Sequence, residues 1–279
     1  MNISSRIRGG IAVLALAAAA SVPNVAVAQS TQAWDSGKWQ YSAVIYGYLP
    51  TIGGTMAFST ASGSPSINVD ASTLLQDLKF TFMGTFDAHN GRWGFFTDVL
   101  YLDIGGSQAK TRDFSLGNVG LPASVNADLD LNLKGVIWTL AGEYRLVADR
   151  AWTVDALAGA RYFGVKPTLS WGFNGDLSGL PLPGRSGRKE ISTGQWDGIV
   201  GLKGAYRFGE DREWYVPFYA DVGTGESQLT WQIAAGIGYS FKWGDLLAMW
   251  RYLDYNFKSD SPIKDLNMNG PMFGVAFHW

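Results

Sequence analysis

The 279-residue chain has only two histidines, His89 and His278, and no cysteine. The missing thiols exclude a thiolate metal site, a thiol nucleophile and a disulfide framework. His89 precedes Asn90-Gly91 and reads as a polar turn residue, and His278 stands one residue from the end and reads as a rim residue. A Ser-His-acid site around His278 would need a marked serine, and no Gly-x-Ser-x-Gly is present. No histidine and carboxylate cluster is read at metal-ligand spacing. Gly53-Gly54, Gly105-Gly106 and Gly223-Thr224-Gly225 fall in turns or loops rather than between a strand and a helix, so they are not phosphate loops. These residues carry no expectation of a catalytic residue, a cofactor or a metal.

Chemistry therefore rests on charged side chains that alternate with apolar ones. Period-two alternation places Lys79, Asp87, Asp98, Asp155, Arg161, Asp197, Lys203, Arg207, Asp221 and Arg251 on the less apolar face of their segments. If those segments close into a barrel, these groups share its lumen. A selective pore shows one sign of charge at its constriction. A balanced set of acids and bases instead forms ion pairs between opposite walls, which is also what groups at membrane depth require. The alternative is a path for anionic solutes along Arg161, Arg207 and Arg251. Phe96, Leu100, Met83, Met249 and Met272 are expected inward too, which narrows the lumen.

The elements that must position these residues are strands. From Lys38 to Trp279 apolar and small or polar residues alternate, most plainly in Leu229, Trp231, Ile233, Ala235, Ile237, Tyr239 and Phe241. Ten strands are read, at about 38–49, 78–89, 92–104, 125–146, 151–166, 190–208, 214–222, 228–242, 246–257 and 267–279. One more hairpin over Thr55 to Thr60 and Ser66 to Ala71 would make twelve, and Leu74 to Leu78 suits a short helical turn. Phase changes suggest bulges near Gly135 and at Pro217. The fold class is all-β, a transmembrane antiparallel up-and-down barrel.

Membrane insertion follows from the connectors and the tryptophans. Short turns at His89-Asn90-Gly91, Ala148-Asp149-Arg150, Gly209-Glu210-Asp211 and Trp243-Gly244-Asp245 alternate with mostly longer ones: Gly105 to Ser124, Pro167 to Lys189, Gly223 to Ser227 and Lys258 to Leu266. Short turns on the periplasmic rim and longer loops outside mark an outer-membrane barrel. Trp39, Trp93, Trp152, Trp214, Trp243 and Trp279 fall at strand ends beside the short rim, as an aromatic girdle does. Arg6 and Arg8, an apolar run from Gly10 to Val22 and Ala26-Val27-Ala28 read as a signal peptide over residues 1–28, with a periplasmic segment at 29–37 and the barrel at 38–279. The net charge of −2 gives no basic footprint for nucleic acid.

The last strand puts Phe273, Val275, Phe277 and Trp279 on one face and stops on the aromatic residue. This resembles the C-terminal signal by which the barrel-assembly machinery recognises its clients. The phrases Tyr46-Gly47-Tyr48-Leu49-Pro50, Gly91-Arg92-Trp93-Gly94, Asp98-Val99-Leu100-Tyr101, Gly159-Ala160-Arg161-Tyr162, Leu229-Thr230-Trp231-Gln232, Arg251-Tyr252-Leu253-Asp254-Tyr255 and Gly270-Pro271 resemble a family of poorly characterised proteobacterial outer-membrane barrels. The resemblance implies a porin-like fold in the outer membrane of a Gram-negative bacterium, and no catalytic residue.

The expected function is a narrow channel or passive transporter for small solutes. A structural or interaction barrel presenting its long loops to envelope or surface partners is the rival, and a lipid-modifying enzyme stands third. The expected partners are outer-membrane lipid, the assembly machinery during biogenesis and small solutes.

Overall fold

A computed structural model describes residues 37–56, 66–69, 78–106, 126–174, 186–190, 192–259, 261 and 263–279. The expected leader at 1–28 and the residues 74–77 of the expected helical turn lie outside them.

Every regular element among the described residues is a strand: β1 (Trp39–Tyr48), β2 (Thr51–Met56), β3 (Ser66–Val69), β4 (Leu78–Asn90), β5 (Trp93–Gly106), β6 (Asn126–Ala148), β7 (Trp152–Asn174), β8 (Ser186–Glu190), β9 (Thr193–Phe208), β10 (Trp214–Gly225), β11 (Ser227–Ser240), β12 (Asp245–Phe257) and β13 (Ile263–His278). All pairings are antiparallel and β13 returns to β1, so the sheet closes.

The wall has ten strands, because two of them are interrupted rather than ended. On β13 the partners run from Tyr48↔Met272 to Thr51↔Asn269 without a change of register, and the Leu49 N–H still reaches the Pro271 carbonyl at 3.0 Å. Pro50 has no N–H to donate, so β1 and β2 are one strand with a gap in its ladder. Gly270 lies opposite that gap, where a Cβ would fall 2.3 Å from the Leu49 oxygen. In the same way β8 and β9 hold one register along β7, from Thr168↔Glu190 to Val165↔Thr193. Of the extra hairpin, β3 pairs with β2, which already belongs to the wall, while its residues 57–60, 70 and 71 lie outside the described ones.

Two expected bulges are corrected. Register is continuous through Gly135 on both neighbours, and the irregularity in β6 falls between Arg145 and Val147. The rivalry of Leu133 and Ile137 with Val136 and Trp138 has another cause: both faces of β6 are apolar, one packing inside and one exposed. Pro217 keeps register with Ala205 on β9, while the ladder to β11 skips it. The missing proline donor costs rungs without shifting the strand.

The connectors also differ from expectation. Most of Pro167 to Lys189 is strand, β7 running on to Asn174 and β8 starting at Ser186. Gly223 to Ser227 narrows to a turn at Glu226. At the other rim Asn90 pairs with Trp93, and Gly91 at φ 60° supplies the positive φ that two-residue hairpins favour.

The outer surface is apolar. Ile45, Phe82, Val200, Ile233, Ile237 and Phe273 are among its exposed large side chains. Near the short turns it carries aromatic neighbours, including Trp93–Tyr144 at 5.0 Å, Trp152–Tyr206 at 4.7 Å and Trp214–Tyr239 at 4.8 Å. A second belt, with Tyr162 against Trp196 at 5.0 Å and Trp231 on Tyr252 at 4.9 Å, lies further along the strands. Trp152 and Tyr162 are ends of a run of about ten residues, the length of strand that crosses a bilayer. Trp39, Trp93, Trp152, Trp214, Trp243 and Trp279 are all exposed. β6 and β7, at 23 residues each, are about twice that length and rise beyond the membrane on the side away from the short turns.

Candidate functional site

Inward-facing residues fill the lumen in layers. Nearest the short turns, β4 contributes Asp87 and His89, β6 Glu143 and Arg145, β7 Asp155 and β9 Lys203. The strand period of two makes each same-strand pair share a face. His89 Nε2 lies 2.7 Å from Glu143 Oε2, 3.4 Å from Asp87 Oδ1 and 3.6 Å from Asp155 Oδ2. Lys203 reaches between Asp87 Oδ2 and Glu143 Oε1, 2.7 Å from the latter. Its ammonium rests over the Phe96 ring, 4.5 Å from the centroid. Arg145 holds Asp155 through Nε to Oδ1 at 2.8 Å and Nη2 to Oδ2 at 3.1 Å. Phe96, Ala141, Leu157 and Ile199 pack beside this cluster.

The next layer holds two cross-lumen pairs. Arg251 on β12 gives Nη2 to Asp98 Oδ2 on β5 at 2.9 Å and to Gln232 Oε1 at 2.8 Å, and the Tyr46 hydroxyl donates to Asp98 Oδ1 at 2.6 Å. Arg161 on β7, 0% exposed, forks onto Asp221 on β10 with Nη1 3.0 Å from Oδ1, and gives Nε to Thr139 at 3.1 Å. Such two-pronged contact uses the flat guanidinium, which suits buried pairing better than a lysine does. Asp197 Oδ1 accepts the Ser227 N–H at 2.8 Å.

Beyond these pairs the lumen is apolar. Tyr48, Leu100, Ile137, Phe163, Leu253, Tyr255 and Ile263 belong to one buried cluster, with Phe163 4.8 Å from Tyr255 between ring centres.

Of the charges expected inside, Asp98, Asp155, Arg161, Asp197, Asp221 and Arg251 are buried and Asp87, Lys203 and Arg207 partly so, while the Lys79 side chain lies outside the described residues. Arg207 gives Nη1 to Ser240 Oγ at 3.2 Å and lies over Tyr215. Sequence reasoning missed Glu143, Arg145 and the inward place of His89. His89 is a buried residue of β4, because the strand runs to Asn90 and the turn begins only at Gly91. The signal was present as Asp87-Ala88-His89, a strand spacing that brings an acid and an imidazole to one face.

At the rim His278 Nε2 lies 3.0 Å from Asp245 Oδ2, and Ser240 and Tyr215 hydrogen-bond to the same carboxyl. Serine and histidine thus meet on the acid, whereas a nucleophile needs its base on the hydroxyl itself. In the turn before β7, Asp149 accepts the N–H groups of Ala151 and Trp152 at 2.7 Å each, which holds its carboxyl below the usual range.

No protein-family model matches the chain, including any that would stand for the resemblance in its sequence phrases, and no curated protein matches it. Among solved structures it is similar to the outer membrane protease OmpT from Escherichia coli, with TM-score 0.47 and 10% identity over 87% of this chain and 97% of that one. It is similar to the translocator domain of the autotransporter NalP from Neisseria meningitidis, with TM-score 0.41 and 14% identity over 87% and 89%. It is also similar to Ail, the attachment invasion locus protein of Yersinia pestis, with TM-score 0.28 and 11% identity over 86% and 98%. Likenesses this distant bring no activity, ligand or partner to the chain.

Proposed function

We propose that the chain is an integral outer-membrane barrel of a Gram-negative bacterium, closed along its axis, that anchors a raised rim for contact with envelope or surface partners. The filling of the lumen carries this reading. A solute would have to part the Arg251–Asp98 and Arg161–Asp221 pairs and then the apolar layer around Leu100, Phe163 and Tyr255. Breaking a buried pair costs about 3–5 kcal/mol each, while the wall strands β6 and β7 continue well past the bilayer. On this reading the chain is not an enzyme. Lipid surrounds the apolar wall, and the assembly machinery is its partner during biogenesis, reading Phe273, Val275, Phe277 and Trp279.

A narrow channel is the second reading, favoured by the polar layer at the short-turn end, where Asp87 and Lys203 are each 17% exposed. Planar-bilayer recording of the purified, folded barrel separates the two. The anchor reading expects no stepwise current, and steady steps in the wild type would restore the channel. Deleting 107–125 or 175–185 should abolish partner contact while leaving solute uptake unchanged, and uptake that falls with the deletion would count against the anchor.

A further inference from the structure

We propose that the short-turn end of the lumen is a binding site for one first-row divalent cation, held by Asp87, His89 and Glu143, with the Lys203 ammonium as the internal cation it displaces. The three ligand atoms, one from each residue, lie within 4.8 Å of one another. A four-coordinate ion with bonds of about 2.1 Å has ligand-to-ligand edges of about 3.4 Å. His89 Nε2 is already 3.4 Å from Asp87 Oδ1, which matches that edge, and 2.7 Å from Glu143 Oε2, an edge that must open by about 0.7 Å.

The cluster is short of donors. Three carboxylate oxygens stand within 3.6 Å of one imidazole nitrogen, which can carry a single proton. His89 Nδ1 is buried with no hydrogen-bond partner, so the ring has no competing anchor on its other side. Its position is set by sterics instead: the ring lies against Gly94, where an added Cβ would fall 2.4–2.6 Å from three ring atoms. A cation at Nε2 answers the surplus of oxygens.

Charge gives the same answer. Arg145 neutralises Asp155 in a two-pronged contact, which leaves Asp87 and Glu143 facing the single ammonium of Lys203. With both carboxyls ionised and His89 neutral, this set carries one negative charge more than Lys203 offsets. Exchanging the ammonium for a divalent ion removes that excess. Lys203 is equipped to leave, since its flexible stem and partial exposure let the ammonium withdraw to water. One imidazole with two carboxylates suits Zn²⁺, Mn²⁺ or Co²⁺ over Ca²⁺ and Mg²⁺, which take oxygen ligands alone.

The refolded barrel in detergent would be titrated with diamagnetic Zn²⁺ and followed by imidazole proton resonances. Because the chain has two histidines, one set of signals must shift or broaden and the other must not. The expected result is one Zn²⁺ per barrel, with His89 affected and His278 spared. Binding should be lost in His89→Ala and Glu143→Gln, tightened in Lys203→Met and unchanged in His278→Ala. The proposal is overturned if the wild type leaves both sets of signals unmoved, or if only His278 responds. The wild-type measurement decides even where a variant does not fold.

Discussion

Arg251 and Asp98 lie 153 positions apart in the chain and meet at 2.9 Å in the middle of the lumen, with the Tyr46 hydroxyl on the same carboxylate. Neither charge has water to turn to, because both residues are buried. Arg251→Met should therefore lower the unfolding free energy by about 3–5 kcal/mol by stranding Asp98. The double change with Asp98→Leu should cost less than the two single changes summed. Urea titration in lipid vesicles, followed by tryptophan fluorescence, measures both.

Gly94→Ala should displace the His89 ring and cost about 1–3 kcal/mol, the usual range for overpacking. At Gly47 an added Cβ meets nothing within 4 Å, so Gly47→Ala is the matched control and should change stability little. The same vesicle titration compares them, and equal costs would contradict the close approach of the ring.

The two aromatic belts predict a depth profile. Lipids brominated near the headgroup should quench the tryptophan emission more strongly than lipids brominated at the chain ends, because exposed Trp39, Trp93, Trp152, Trp214 and Trp279 sit at one interface and Trp196 and Trp231 near the other. Stronger quenching from the bilayer centre would displace the wall from its assigned depth.

Removal of Phe277, His278 and Trp279 should open the seam. Tyr41 and Trp279 exchange both backbone hydrogen bonds, at 2.9 and 3.1 Å, and their rings stack at 5.9 Å. The truncated chain should lose most of its heat-modifiable folded band in cell envelopes. The single change His278→Ala, which leaves those bonds in place, should keep it.

Asp149 predicts a pH dependence of known sign. Its carboxyl is held below the ordinary range by the N–H groups of Trp152 and Ala151, so the stability it adds is complete above the unfolded carboxylate pKa of about 3.9. That contribution fades as the pH falls through the lower folded value. The wild type should exceed Asp149→Asn in stability at neutral pH, and the gap should close on acidification to below the lowered folded value.

Alternation made the wall legible, since a period of two is a local property and survives whatever lies across the lumen. The ten-strand count agrees with it, and the possible two more strands lay in Thr55 to Thr60 and Ser66 to Ala71, whereas the first strand runs on past Pro50 to Met56 and takes the start of that segment into the wall. The inside was less legible. Glu143 and Arg145 belong to β6, whose second apolar face looked like a slipped phase because a packed lumen takes Ile137 and Ala141 as readily as lipid takes Trp138. His89 was obscured by the turn read at His89-Asn90-Gly91, which in fact starts at Gly91, two residues later. Which wall an arginine meets depends on closure, and no local pattern carries that.

A barrel packed on its inner side and merely greasy on its outer side should tolerate change unequally. Val200, Ile233 and Phe273 need only remain soluble in lipid, so such positions are free to drift among apolar residues. The inner positions are locked to partners on distant strands, residue 98 to 251 and residue 161 to 221. Lineages of this chain should therefore diverge outward first and change inward by paired replacements, leaving long-range correlations that trace the closed wall.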